Sequence, residues 1–320
     1  MRQPEGIQAG HRSAWARFVA LRRKAPGRGY ENVTGYLFIS PWILGFLLFT
    51  IIPVAMSFYY AFTNYSFVAP TQWIGLENFR RMFTADRRFW NSVRATSIFV
   101  ITGVPLRLAL ALIVAIALNK KHQGISLYRA VFYLPSLIGS SVAIGLVWRR
   151  FFGTGGAAQS ILEAFGAELQ YSLLGNPATA IWTIVLLVAW QFGSSMLIFL
   201  AGLKNIPATY YEAAVVDGAH TWTKFRRITL PLLSPVILFN LIMQTINGFK
   251  IFTESYVVTE GGPLDSTLFY SIYLYQRGFR FFDMGYASAM AWVLLAVIAV
   301  LTLLIFRSSQ SWVHYESKVD

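Results

Sequence analysis

Six long apolar segments constrain the fold of this 320-residue chain more than any other feature. A helix needs about 20 apolar residues to cross the roughly 30 Å hydrocarbon core of a membrane. Only 13% of the chain is charged, whereas soluble domains carry about 25%. Backbone groups in lipid must be satisfied within the segment, so the pattern predicts an all-α, polytopic membrane protein with six transmembrane helices. The predicted helices are 36–60, 97–118, 131–148, 179–203, 235–258 and 286–306.

Lys and Arg are distributed unevenly between the loops, which predicts the orientation of the chain. With both termini in the cytoplasm, 16 of them lie on the cytoplasmic side and 10 on the outer side, as expected if cytoplasmic loops are the more basic ones. The net charge of +13 is therefore assigned to topology and not to nucleic-acid binding. We expect a basic cytoplasmic arm at 1–34, a membrane domain at 35–308 and a cytoplasmic tail at 309–320. The arm is either held near anionic lipid or a disordered tail that only sets the topology.

The first apolar segment is predicted to stay in the protein as a membrane anchor. A long basic region precedes it, and the segment exceeds the 7–15 apolar residues of a signal peptide.

Two outer loops are long enough to fold. In residues 61–96, the stretch 80–90 predicts a short amphipathic helix on the membrane surface, and the glycine-rich residues 149–178 suit an external cap or a docking surface.

The cytoplasmic loop at residues 204–234 begins with a helix signal. Pro207 suits a first helical position, and residues 210–217 are good helix formers. Gly218 suits the left-handed residue that ends such a helix. The first half of this loop is therefore predicted to be a short helix with a defined end.

The second half of the loop predicts another short helix. Thr221 can cap a helix that runs to about Arg227, and Pro231 and Pro235 are expected to end it before the fifth span. The loop would then be a helix–turn–helix with aromatic side chains of the kind that dominate interfaces. From these residues alone, it is either a docking surface or an ordinary amphipathic connector.

No pattern in the sequence indicates an enzyme or a metal site. The phosphate-binding pattern G-x-x-x-x-G-K-[ST] does not occur, and the four His are scattered in a chain without Cys. No nucleophile lies beside a candidate base. If ATP drives this protein, a partner must hydrolyse it.

Polar residues inside a span are costly and therefore indicate function. Five of them share one stripe, about 120° wide, if the fifth span is a continuous helix: Asn240, Gln244, Asn247, Lys250 and Glu254. Their amides suit sugar hydroxyls, and Phe249 and Phe252 suit apolar sugar faces. Hydrogen bonding between helices is the alternative. The stripe is therefore a candidate lining of a substrate path, and Gln191 of the fourth span is a weaker candidate for the same role.

Arg107 lies near the middle of the second span, where a charge costs about 2.5–3.5 kcal/mol. It is expected either to form an ion pair, with Glu254 or with a partner chain, or to attract an anionic substrate. Together with Lys250 and the Arg149–Arg150 pair, it makes an acidic sugar one of the possible substrates.

Several short motifs resemble those of ABC-importer permeases. The cytoplasmic loop resembles their EAA loop at Glu212-Ala213-Ala214, Asp217-Gly218-Ala219, Trp222, Phe225 and Ile228-Thr229-Leu230-Pro231. Over residues 35–308 the chain resembles the sugar branch, the maltose- and glycerol-phosphate-type inner-membrane subunits, at Gly35-Tyr36-Leu37-Phe38, Leu76-Glu77-Asn78-Phe79, Tyr128-Arg129-Ala130 and Gly261-Gly262-Pro263. Arg107 departs from the small or apolar residue that is usual there.

The resemblance implies a type I importer core in a bacterial inner membrane, whose loop at 204–234 docks on a separate ATPase. The implied coupling residues are Glu212, Ala213, Ala214, Asp217, Gly218, Trp222 and Phe225. The chain itself would hold no cofactor, because ATP and Mg would be bound by the ATPase. The implied partners are a second, homologous permease chain, two ATP-binding subunits, an extracytoplasmic substrate-binding protein and a carbohydrate, with an oligosaccharide expected.

Gly261, Gly262 and Pro263 form only a tight turn when taken by themselves. The resemblance implies that they contact the substrate-binding protein.

Two other functions remain open. An ion- or proton-coupled transporter would need buried carboxylates or discontinuous helices, and a membrane assembly protein without transport activity would not need polar residues deep in a span.

Overall fold

The computed structural model describes residues 28–68, 70–120 and 123–314. Residues 1–27 of the predicted arm and 315–320 of the predicted tail lie outside the described residues. The chain divides into two compact units, residues 1–57 and 58–320. The first unit contributes most of one long apolar helix, and the second contains the other helices and the sites described below.

The described residues are mostly helical, which confirms the all-α class. In chain order the helices are α1 (Arg28–Phe46), α2 (Ile52–Tyr60), α3 (Glu77–Thr84), α4 (Arg87–Leu118), α5 (Ile125–Ile138), α6 (Val142–Phe152), α7 (Ala157–Ala164), α8 (Ala180–Trp190), α9 (Gly193–Asn205), α10 (Ala208–Val216), α11 (Thr221–Lys224), α12 (Leu230–Phe249), α13 (Thr253–Val258), α14 (Tyr270–Tyr275) and α15 (Met284–Ser309). Three π turns extend them, at Leu47–Ile51, Phe225–Thr229 and Gln276–Arg280.

Four helices in the described residues are long and apolar enough to cross a membrane alone. They are Thr34–Tyr60, Arg87–Leu118, Thr221–Phe249 and Met284–Ser309. Two further helix pairs are bent at a short break: Ile125–Ile138 with Val142–Ala164 by 91°, and Ala180–Trp190 with Gly193–Asn205 by 42°. If each bent pair is one span, the described chain has the six spans that the sequence predicts.

The second span begins earlier than predicted, at Arg87. The expected surface helix at 80–90 is wrong, because two helices, α3 and the start of α4, share that stretch. Asp86 separates them. Its carboxylate Oδ1 accepts hydrogen bonds from the backbone N–H groups of Arg88 at 3.0 Å and Phe89 at 3.1 Å, and this N-cap starts a new helix.

The fifth span begins at Thr221, and the prediction that Pro231 and Pro235 end a separate short helix is wrong. The π turn Phe225–Thr229 joins α11 to α12. Pro231 lies just after this π turn, and such local π adjustments allow a membrane helix to continue past a proline. Pro235 leaves the carbonyl of Pro231 without its usual helical donor, and the Ser234 hydroxyl donates to that carbonyl instead.

The fifth span also ends earlier than predicted, at Phe249. Lys250 caps α12, and Glu254 belongs to the separate helix α13. The prediction of one continuous helix to residue 258 is therefore wrong, and the calculated stripe does not hold beyond Asn247. Lys250 and Glu254 reach the polar site through the turn and not through helical periodicity.

The breaks in the third and fourth spans pack against each other at two glycines. A Cβ added at Gly139 would lie 2.4 Å from Cγ of Gln191, and one added at Gly193 would lie 2.6 Å from the carbonyl oxygen of Phe132. Only a residue without a side chain permits this approach. Ser136 links the breaks, since its hydroxyl accepts from the Ser194 N–H and donates to the Gln191 carbonyl, each at 2.9 Å.

The main apolar core lies between the second, fourth and fifth spans. Phe99, Ile184, Phe199 and Leu233 are almost completely buried there. Burying a side chain of this size contributes about 1.5–3 kcal/mol. This core fixes the walls of the polar cavity that lies beside it.

Candidate functional site

A polar cavity of about 350 Å³ lies where the breaks in the third and fourth spans meet the end of the fifth. Six of the seven predicted substrate-path residues line it: Arg107, Gln191, Gln244, Asn247, Lys250 and Glu254. The seventh, Asn240, is completely buried and is not among the cavity-lining residues. Its amide donates to the Val236 carbonyl at 3.3 Å, one helical turn away. Asn240 therefore lies outside this cavity, and its place on the substrate path stays a prediction.

Arg107 is held at the cavity wall by the break in the fourth span. Its Nη2 donates to the Gln191 carbonyl at 2.7 Å and lies 3.5 Å from Oγ of Ser194. Its Nε is buried without a hydrogen-bond partner. No carboxylate among the described residues forms an ion pair with it, so the expected Arg107–Glu254 pair is not formed. The positive charge is therefore not neutralised by direct pairing.

Gln191 joins the fourth span to the polar turn after α12. Its side chain is only 3% exposed, and its Nε2 has no hydrogen-bond partner. The Ser140 hydroxyl lies 3.3 Å from Oε1 of Gln191 and 3.1 Å from Oε1 of Glu254. One hydroxyl proton serves only one of these acceptors at a time, so this cluster retains capacity to bond a ligand.

The fifth-span residues of the cavity divide into a structural and an exposed group. Gln244 is buried and donates to Oγ of Ser195 at 3.0 Å, which is the hydrogen bond between helices that the alternative interpretation expected. Asn247 and Lys250 are exposed on the cavity wall. Phe252 adds an aromatic surface, stacked on Tyr256 with ring centroids 5.1 Å apart.

The sequence did not single out several lining residues. Ser136 and Ser140 lie one helical turn apart around Pro135 and Gly139. The cluster of Pro, Gly and Ser within an apolar segment is the signal that could have revealed both the break and its polar groups.

The loop after the fourth span forms the predicted first helix and turn, but its second helix is the start of the fifth span. Residues 208–229 are here called the helical hairpin. At the end of α10, Gly218 has φ +71°, as predicted for a left-handed residue. The Gly218 N–H donates to the Val215 carbonyl at 3.0 Å, and the Ala219 N–H donates to the Ala214 carbonyl at 2.9 Å. These two bonds define a Schellman motif, which fixes where α10 ends.

The helical hairpin presents acidic and apolar side chains together. Glu212, Asp217 and Trp222 are exposed. Trp222 is 68% exposed, and the centroid of its ring lies 5.4 Å from that of Phe225. The Tyr211 hydroxyl lies 2.9 Å from Oγ1 of Thr229, which fixes α10 to the base of the fifth span. The sequence analysis did not single out Val216, which is 88% exposed.

At the opposite end of the bundle, Gly261, Gly262 and Pro263 form a loop held by ion pairs. Gly261 has φ +94°, and the Gly262–Pro263 peptide bond is cis. The loop is anchored by Arg88–Asp265 at 2.9 Å and Arg149–Glu260 at 3.6 Å. Leu264, next to Pro263, is 88% exposed and was not singled out by the sequence.

A buried carboxylate ties the start of the second span to the last span at this same end. Oδ2 of Asp86 accepts hydrogen bonds from the hydroxyls of Tyr273 and Tyr286 and pairs with Arg277 at 3.1 Å. Burial raises the pKa of Asp86, but these hydrogen bonds and the Arg277 charge outweigh burial and hold the pKa below its usual value. Burial and the bond to Asp86 raise the pKa of Tyr273 to about 12.

Comparisons with known proteins identify the family. Residues 29–314 match the model of the binding-protein-dependent transport system inner membrane component. The probable ABC transporter permease protein YesP of Bacillus subtilis (strain 168) is 53% identical over 91% of this chain and 94% of its own length. The lactose transport system permease LacF of Rhizobium radiobacter is 34% identical over 91% of this chain and 99% of its own length.

Another relative supports this assignment, and a solved structure has the same fold. The arabinooligosaccharides transport system permease AraP of Bacillus subtilis (strain 168) is 34% identical over 95% of this chain and 94% of its own length. A bacterial ABC transporter involved in the import of the acidic polysaccharide alginate has the same fold, with a TM-score of 0.74 at 23% identity, over 88% of this chain and 98% of that one.

These matches cover the spans, the cavity and the helical hairpin together. The named relatives are permeases, which are transport components and not enzymes, and ATP hydrolysis belongs to a separate subunit of such systems. The chain therefore belongs to the family of binding-protein-dependent transport system inner membrane components and is a multi-pass, inner-membrane permease subunit of an ABC importer.

Proposed function

We propose that this permease carries a carbohydrate of oligosaccharide size through the cavity beside Gln191. Relatives at 34% identity are named for transport of lactose and of arabinooligosaccharides. The unpartnered Nε2 of Gln191, next to the cavity, is the observation that carries the proposal, because a buried donor without a partner is costly until a ligand satisfies it.

The remaining cavity groups suit sugar chemistry. The hydroxyls of Ser136 and Ser140 and the amide of Asn247 both donate and accept hydrogen bonds. The ring of Phe252 offers a flat apolar surface to the C–H face of a sugar ring.

The charges of the cavity favour an acidic oligosaccharide. Arg107 and Lys250 face one carboxylate, Glu254, among the described lining residues. Arg107 pairs only with neutral groups, and a substrate carboxylate can supply the missing counter-charge. A neutral oligosaccharide would leave this charge unpaired during passage.

The exposed helical hairpin supports the proposed coupling to an ATPase. Its acidic and aromatic side chains, Glu212, Asp217 and Trp222, are free to contact another protein, and Tyr211 and Thr229 connect α10 to the base of the fifth span. In this proposal two ATP-binding subunits, which hold ATP and Mg, dock on this chain and on a second, homologous permease chain. Both termini then lie in the cytoplasm, on the side of the hairpin.

The loop that contains Gly261, Gly262 and Pro263 is proposed to meet the substrate-binding protein. It lies at the end of the bundle opposite the hairpin, and exposed Leu264 gives it an apolar contact point. ATP binding would favour one arrangement of the two permease chains and hydrolysis the other, because a ligand shifts a conformational equilibrium only by its differential affinity for the two states.

The test is ATPase stimulation in the complete reconstituted complex. Neutral and acidic oligosaccharides of matched length are each presented on the binding protein. The proposal expects stimulation by carbohydrates, with larger stimulation by a uronic-acid oligosaccharide than by its neutral counterpart. Equal stimulation by both would contradict the acidic assignment, and no stimulation by any member of a broad carbohydrate panel would contradict the carbohydrate assignment.

A further inference from the structure

A second cavity, of about 870 Å³, lies at the hairpin end of the bundle and is separate from the polar cavity beside Gln191. It opens between the end of the second span, the start of the third and the end of the fourth. Ala208 and Tyr211 of α10 complete its wall. The cavity therefore lies against the element that the proposed function assigns to coupling.

The charged groups of this cavity are all positive among the described residues. Lys120, Arg129 and Lys204 line it, and no carboxylate does. None of the three forms an ion pair within the described part of the chain. Three unneutralised cations that share one concave surface create a positive potential that attracts an anion.

Arg129 is fixed in position but not saturated. Its Nη2 donates to the carbonyl of Leu118 at the end of α4, at 2.9 Å. Its Nε is buried and has no hydrogen-bond partner. The guanidinium is thus held in place by one bond while another donor stays unused, and a phosphate oxygen is a suitable acceptor for such a group.

Besides the three cations, the wall contains the amides of Asn119 and Gln123 and a group of apolar side chains. Leu203 is 5% exposed, and Ile125 and Ile206 are half-buried against the same core. A free phosphate ion would gain nothing from these side chains. A phosphate that carries an acyl-glycerol group would place its apolar part along them, with the lysines around its charge.

We propose that this cavity binds the phosphate headgroup of an anionic phospholipid. Basic pockets between spans on the cytoplasmic side of a membrane have the charge and shape for such a headgroup. A bound lipid would lie between α10 and the ends of the second and fourth spans, so its presence would stabilise the base of the helical hairpin.

The test measures lipid retention by the complete detergent-purified complex in native mass spectrometry. Phosphatidylglycerol and phosphatidylcholine are offered at equal concentration. The variants are Lys120→Gln and Lys204→Gln, singly and together, because both side chains are exposed and form no ion pair within the described residues. Arg307→Gln is the matched control, since it removes an exposed cation at the same end of the bundle but outside the cavity.

The proposal expects preferential retention of phosphatidylglycerol by the wild-type complex. Each lysine substitution should weaken retention about fivefold, and Arg307→Gln should leave it unchanged. Equal losses in the control and the lysine variants would overturn the site, as would equal retention of both lipids. A second arm adds inorganic phosphate. Displacement of the lipid by inorganic phosphate at millimolar concentration would overturn the assignment to a lipid.

Discussion

The guanidinium of Arg107 donates a 2.7 Å hydrogen bond to the backbone carbonyl of Gln191, at the point where the fourth span is broken. A helix break leaves carbonyls without helical donors, and such groups are costly in a membrane interior. Arg107 and the Ser136 hydroxyl both donate to the Gln191 carbonyl, and Arg107 at the same time brings a positive charge to the cavity. One side chain therefore serves both the fold and the proposed substrate preference.

Arg107→Gln should destabilise the chain, because it removes a charged donor from a buried carbonyl. Such a bond is worth about 1.5–3 kcal/mol, and the midpoint of thermal unfolding of the purified complex should fall accordingly. Lys250→Gln is the control. It removes a cavity charge whose side chain makes no hydrogen bond to the described residues, so it should weaken stimulation by acidic substrates while the unfolding midpoint stays constant. Equal midpoints for both variants would contradict the structural role of Arg107.

Gly218→Val should abolish ATP-coupled uptake while the protein still inserts in the membrane. The φ of +71° makes a side chain unfavourable by about 1 kcal/mol, yet an added Cβ meets no atom of this chain within 4 Å. Gly155→Val is the matched control, with φ +66° and the same open surroundings but outside the helical hairpin. It should keep uptake. Normal uptake by Gly218→Val would refute the coupling role.

Asn247→Leu and Asn240→Leu should distinguish a residue that lines the cavity from one that is buried outside it. Asn247 lines the cavity, so its loss should raise the substrate concentration needed for half-maximal ATPase stimulation. Asn240 is buried outside the cavity with an unpartnered Oδ1, so leucine should leave transport intact and stability unchanged or higher by about 1 kcal/mol. The reverse pattern, with transport sensitive only to Asn240, would contradict the placement of the path.

Acidification should loosen the contact between the start of the second span and the last span. The folded pKa of Asp86 lies below its unfolded value, so the carboxylate stabilises the fold fully above the unfolded pKa, near 3.9. That contribution is lost as the pH falls below about 4 and through the folded pKa. Thermal unfolding between pH 7 and pH 3 should show this loss in the wild type.

Asp86→Asn is the control for the pH experiment, because asparagine still caps the helix. It should be less stable than the wild type at pH 7 and should show a flatter decline on acidification. An identical pH dependence in the two proteins would mean that another group is responsible.

The apolar segments were sufficient to predict the spans, because the cost of an unsatisfied backbone in lipid leaves few alternatives to a helix. They could not show the breaks. Gly139 and Gly193 lie inside runs that remain apolar, and hydropathy does not register a turn that needs two glycines to pack together. Pro231 and Pro235 do not end a helix as predicted, since the π turn before Pro231 and the hydroxyl of Ser234 make both tolerable in one helix.

The sequence predicted the polar residues that line the cavity better than it predicted the continuous helix that was expected to carry them. Lys250 and Glu254 line it although they lie beyond the end of α12, because the turn folds back toward the breaks. Asn240 fits the same periodicity but lies too deep in the packing. Polar residue type therefore indicated the region, while the contacts of neighbouring spans decided which side chains reach it.

The central claim is that ATP hydrolysis by a separate subunit drives solute movement through contact with the helical hairpin. The most direct measurement compares uptake of radiolabelled oligosaccharide into proteoliposomes that contain either the complete complex or this chain alone. ATP is supplied on the side of the helical hairpin and the binding protein on the opposite side. The account predicts uptake only by the complete complex and only with hydrolysable ATP. Concentrative uptake by the purified chain alone would contradict it.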